Sequence, residues 1–140
     1  MAAVLVPYDG SDLSRNALKF ACERFSEAEI TALFVVDTTV TRQPERYVGV
    51  KLGEIYEQRE AEGEELLADA EELAGEFDVR ISTAVRRGRP QSEILRYVTE
   101  EGIDHVIIGS HSQDLIERFF HGSVAERVVD RLPVPVTVIR

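Results

Sequence analysis

The chain has one cysteine, two lysines and no tryptophan among its 140 residues. A lone Cys22 excludes an internal disulfide and offers no metal cluster, and it fits a reducing compartment, the cytoplasm. No apolar run approaches the roughly 20 residues that a helix needs to cross a bilayer. The opening MAAVLVPYDG has no basic region ahead of its apolar stretch, so it is expected to be a first strand and not a signal peptide. Neither GxGxxG nor a Walker lysine motif is present, which excludes the dinucleotide fingerprint and the P-loop. Linkers, low-complexity tracts and internal repeats are missing too, so residues 1–140 are expected to form one domain, long enough to bury roughly 70% of the unfolded chain's surface.

The charge is one-sided. Twenty-six acids face sixteen bases, for a net charge of −10. The acids concentrate over 54–76 (EIYEQREAEGEELLADAEELAGE), which reads as a solvated helix face. Such a balance repels nucleic acid and anionic membranes, so neither is an expected partner. Scarce lysine (Lys19 and Lys51) with abundant Asp and Glu resembles proteins of salt-loving microbes, whose electrolyte screens the repulsion.

Short apolar runs and helical periods alternate along the chain. AVLVPY (3–8), EITALFVVD (29–37), VRISTAVRR (79–87), DHVIIGS (104–110) and PVPVTVIR (133–140) predict five strands. Leu13, Ala17, Leu18, Ala21 and Phe25 predict a helix over about 12–26. Leu66, Leu67, Ala70, Leu73, Ala74 and Phe77 predict a second, whose first half is weakened by Gly63. The third starts near Pro90, a residue tolerated in a helix's first turn, and Val124, Ala125, Val128, Val129 and Leu132 mark the fourth. Residues 38–51 show no period and read as a loop, with Arg42, Arg46 and Lys51 as a small basic island. The alternation predicts an α/β fold: a single doubly wound domain with a five-stranded parallel sheet, order 3-2-1-4-5, and helices on both faces.

In such sheets ligands bind beyond the carboxyl ends of the strands, where the strand order reverses. Strand one ends in Pro7-Tyr8-Asp9-Gly10-Ser11 and strand four in Gly109-Ser110-His111-Ser112, and the predicted order makes these ends flank one crevice. Asp9 can accept hydrogen bonds from ribose hydroxyls, and Gly109 lets a ring or sugar approach the backbone. Asp9-Gly10-Ser11 equally forms a plain turn and N-cap. Gly122-Ser123 opens the fourth helix, whose free amides suit an anion, while Ser123-x-x-Glu126 equally makes a capping box without any ligand. A phospho-acceptor receiver domain would need an acidic pair after strand one and an aspartate closing strand three, where this chain has Arg86-Arg87. His105, His111 and His121 lack metal-ligand spacing, so no metal site is expected, and Cys22 belongs beside the apolar stripe of the first helix.

VLVPYDGSDLSRNAL, LFVVD, GRPQSEIL and VIIGSHSQDLIERFFHGSVAERVVDRLPVPVTVIR together resemble the universal stress protein family over essentially the whole chain. Nucleotide-binding members carry G-x2-G-x9-G-[S/T], which falls here on Gly109, Ser112 and Gly122-Ser123, with serine in place of the middle glycine. If the backbone there needs φ > 0, that serine costs on the order of 1 kcal/mol, about tenfold in affinity. Gln113 and Asp114 bring no positive charge where the family often has one, and Arg118 stands near enough in sequence to offset Asp114. Departures of this kind occur in the branch of the family that does not bind ATP.

The resemblance implies that Pro7 and Asp9 border adenine and ribose and that backbone groups of Val35 read the adenine edge. It implies further that Ile108 and Gly109 line the ribose side, while Ser112, Gly122, Ser123 and Val124 meet the phosphates. The implied ligand is ATP, or AMP or ADP, with Mg²⁺. A homodimer paired through the C-terminal edge strand (134–139) is expected, with a protein partner of unknown identity. No residue set supplies a general base for hydrolysis, so the chain is expected not to be an enzyme beyond very slow ATP cleavage. The alternative is a dimeric interaction module of the same family with a degenerate crevice. An enzyme of the related adenine-nucleotide hydrolases is disfavoured, since a glycine-serine pyrophosphate loop is missing after strand one.

Overall fold

The computed structural model describes residues 2–39, 52–109 and 131–140. Five parallel strands, β1 (Ala3–Pro7), β2 (Glu29–Asp37), β3 (Ser82–Gly88), β4 (His105–Gly109) and β5 (Val136–Ile139), form one sheet in the order β3-β2-β1-β4-β5. Alternation along β1 decides what lies on each face. Val4 and Val6 pack with α1 (Asp12–Arg24) and α2 (Leu52–Gly75), while Leu5 packs with α3 (Pro90–Glu100). The doubly wound expectation therefore holds. The fourth helix expected around 124–132 falls almost entirely outside the described residues, but its Leu132 is buried in the core on the α3 side.

Helix α1 forms where its periodicity predicts. Ser11 caps it, accepting from the Ser14 amide, and Ser14, Ala17, Leu18, Ala21 and Cys22 supply the buried stripe. Burial pushes the Cys22 thiol up to about 11, which makes it unreactive at neutral pH.

Helix α2 is longer than its apolar period suggests, running unbroken for 24 residues. Gly63 does not weaken it at random: a Cβ there would stand 2.2 Å from the Phe34 ring of β2, so the glycine lets the helix settle onto the sheet. None of residues 53–62 is buried, whereas Gly63, Leu67, Ala70, Leu73 and Ala74 are. The exposed half is joined to the sheet through Arg87 of β3, which pairs with Glu60 and lies over the Tyr56 ring. The Arg87 bond holds the Glu60 carboxyl below its ordinary range.

Strand β3 starts at Ser82, three residues later than the sequence indicates. The Val79 amide is already used, donating to the Ala74 carbonyl at 3.1 Å in the turn that ends α2, with Asp78 in left-handed conformation (φ 57°). Val79 and Ile81 nevertheless pack against the α1–α2 core, which explains their apolar alternation.

Candidate functional site

The expected crevice falls between the carboxyl ends of β1 and β4, whose ladder is short. Their register is confined to Val4 opposite His105 and Leu5 opposite Val106. Beyond it β1 ends at Pro7, which has no amide hydrogen to donate to a ladder. This is the point where the strand order reverses, with α1 and α2 on one face and α3 on the other.

On the β2 side, β1 keeps its pairing to the end. Pro7 stands opposite Leu33, and the Tyr8 amide donates to the Leu33 carbonyl at 2.8 Å. In a parallel pair, alternate residues turn their amide and carbonyl toward the same neighbour. Two residues on, Val35 therefore aims its backbone groups past the end of β1. Its side chain is half-buried against the α3-side core, opposite Arg86 of β3. Backbone polar groups at the rim of a hollow are suited to reading the edge of a planar heterocycle.

Asp9 lies in the turn from β1 to α1. Its Oδ1 accepts from the Ser11 amide at 2.9 Å, across Gly10 in left-handed conformation (φ 80°). Both halves of the plain reading are thus correct: residues 9–11 form a turn, and Ser11 is an N-cap. Among the described residues Oδ2 has no partner, so one carboxylate oxygen stays available to a hydroxyl donor.

Gly109 is buried at the tip of β4, and the reason for a glycine there differs from the one expected. A Cβ would stand 2.6 Å from the Leu13 carbonyl oxygen and 2.7 Å from the Leu13 carbonyl carbon. The close approach is made by the first turn of α1, whatever ligand is present. Ile108 is buried with its side chain in the α3-side core, so a ligand in the crevice would meet its backbone at most. Ser112, Gly122, Ser123 and Val124 lie outside the described residues, as do Gln113, Asp114, Arg118 and the 42–51 basic island. The structure thus brings Pro7, Asp9, Val35, Ile108 and Gly109 to the carboxyl end of one sheet.

Two residues of the site were not singled out by sequence. Ser14 is fully buried and hydrogen-bonds both ends of the Asp9–Ser11 turn. Its signal was the spacing Ser11-x-x-Ser14, which places the second serine in the first helical turn. Tyr8 is also buried, and its hydroxyl lacks a hydrogen-bond partner among the described residues. Burial raises the Tyr8 phenol, and the Arg15 guanidinium, near it but outside hydrogen-bond geometry, pulls the other way. Two hollows of about 350 and 330 Å³ lie at the amino end of the sheet, beside Asp78–Ile81 and Phe25–Ala28, away from this crevice.

The sequence profile of the universal stress protein family matches residues 1–140. The chain belongs to that family. Among its relatives, a universal stress protein of Methanocaldococcus jannaschii is 33% identical, over 98% of this chain and 81% of its own length. The solved universal stress protein UspA from Lactobacillus plantarum superposes with a TM-score of 0.77 at 26% identity, covering 99% of this chain and 97% of that one. A family member from Arabidopsis thaliana, solved with AMP bound, shares the fold at a TM-score of 0.68 and 18% identity, over 99% of this chain and 91% of that one. Among the described residues no helix of this universal stress protein is long and apolar enough to cross a membrane.

Proposed function

We propose that this universal stress protein binds ATP, or AMP or ADP, in the crevice between the tips of β1 and β4, and acts as a cytoplasmic stress-response sensor or regulator. The carrying observation is the end of the β1–β4 ladder at Leu5 and Val106, before the turn that carries Asp9, whose Oδ2 lacks a partner among the described residues. The backbone edge of Val35 suits adenine, and AMP in the Arabidopsis relative supports the ligand class. Among the described residues no group of three or more His, Cys, Asp or Glu stands ready to hold a metal, so Mg²⁺ would arrive on the phosphates. Among the described residues no positioned general base stands beside the crevice, and we expect binding with little or no turnover.

Calorimetry with ATP and with AMP, with and without Mg²⁺ and in molar salt, tests the reading. Saturable binding is the expected result, tightened about tenfold by Ser112→Gly if serine there demands a strained backbone. No heat at millimolar nucleotide, for wild type and variant alike, would leave the binding reading without support.

A second reading, a dimeric interaction module with a vestigial crevice, draws on two observations. Leu13 explains Gly109 without a ligand, and Asp9 already serves its own turn. Either reading includes the homodimer. Strand β5 closes the sheet at one edge, and its Val138 is 42% exposed, which suits pairing with a second copy. Light scattering at micromolar protein is expected to give twice the chain mass, and a monomer there would count against the pairing.

A further inference from the structure

We infer that Ser14 is a positioning residue for the nucleotide site, holding Asp9 so that Oδ2 meets the ribose hydroxyls. This inference rests on the adenine-nucleotide reading and adds to it the residue that sets ribose selectivity. Ser14 is fully buried, and its one hydroxyl is used twice. It accepts from the Asp9 amide at 3.4 Å and donates to the Ser11 carbonyl at 3.0 Å. The Ser14 amide, in turn, donates to the Ser11 hydroxyl at 3.2 Å. Both ends of the Asp9-Gly10-Ser11 turn are thereby tied to the first turn of α1. Oδ1 is engaged by the Ser11 amide, which leaves Oδ2 as the carboxylate oxygen without a partner among the described residues.

A role limited to building the helix would be served by less. The Ser11 carbonyl already accepts the Arg15 amide at 2.9 Å, so it does not depend on Ser14 for a partner. The Asp9 amide does: among the described residues the Ser14 oxygen is its acceptor. Removing that oxygen leaves the Asp9 amide without its acceptor, so the Asp9 end of the turn loses its tie to α1 and the carboxylate shifts with the turn, while Ser11 still caps α1. The effect should then fall on the ligand group that Asp9 contacts and spare the base and phosphates.

Titration of wild type and Ser14→Ala with ATP and with 2′,3′-dideoxy-ATP separates these roles. The variant is expected to lose about tenfold in affinity for ATP, the equivalent of one well-aimed hydrogen bond, and under about twofold for the dideoxy analogue. Ser14→Thr keeps the hydroxyl and is expected to keep the wild-type preference between the two nucleotides. Equal losses for both nucleotides in Ser14→Ala would overturn the inference and leave the binding reading intact. Failure of wild type to bind either nucleotide would overturn both. Should Ser14→Ala not fold, exchange of the Asp9 amide in the wild-type protein decides: slow exchange supports the Ser14 bond, and exchange at the rate of an open turn refutes it.

Discussion

Gly109→Ala is expected to lower the melting temperature by roughly 6–12 °C. The added Cβ would stand 2.6, 2.7 and 2.9 Å from the carbonyl oxygen, carbonyl carbon and Cβ of Leu13. A clash with the far end of a flexible side chain relaxes by rotation, but this one is with backbone. The first turn of α1 must lift from β4 for the methyl to enter. Overpacking a close-fitted core costs about 1–3 kcal/mol, and an unyielding neighbour places this substitution at the upper end. About 3 kcal/mol corresponds to several degrees in a domain of this size, at about 2–4 °C per kcal/mol. Thermal unfolding followed by circular dichroism reads the shift. A variant melting within about 2 °C of wild type would mean that α1 does not seat against β4 as described.

The second large effect lies where α2 packs on β2, and there two contributions oppose each other. Gly63→Ala raises intrinsic helix propensity by about 1 kcal/mol. Against it, the new Cβ would fall 2.2, 2.6 and 2.9 Å from three atoms of the Phe34 ring. The ring has to move, and the overpacking again costs about 1–3 kcal/mol. The sum is a net loss of up to about 2 kcal/mol, smaller than at Gly109 because the obstruction is a half-buried side chain. A double-mutant cycle isolates the cause. Phe34→Leu removes the ring edge, so in its background Gly63→Ala should turn neutral or stabilising by denaturant titration. Additive losses would mean that the helix is held off the sheet by something other than Phe34.

Most of this architecture was legible in the residues. The alternation of apolar runs and helical periods gave the strand order because right-handed crossovers leave few ways to thread a parallel sheet. Departures occurred where one pattern had two physical causes. Val79 and Ile81 alternate like a strand, yet the Val79 amide closes the turn after α2 and cannot enter a ladder. Gly63 looks like a helix breaker to propensity alone, and only the distance to Phe34 shows its use. At the crevice, Asp9 was placed by its position after the first strand, and Val35 by the family resemblance. The buried hydroxyl of Ser14 was not, because a serine in the first turn of a helix has the same sequence signature whether it caps, bridges or faces solvent.

The first turns of α2 give the molecule a rim unlike its body. From Gly53 to Glu62 nothing is buried, and Arg87 joins this stretch to the sheet through one ion pair and one aromatic ring. Dissolved ions weaken the first attachment, since at about 1 M salt charges are screened beyond about 3 Å. Stacking of the guanidinium on Tyr56 persists under the same conditions, being short-ranged and partly apolar. Brine would therefore loosen one of the two attachments of this helix end and leave the other in place, so the end is held less firmly than in dilute buffer while the buried half of α2 is held alike in both.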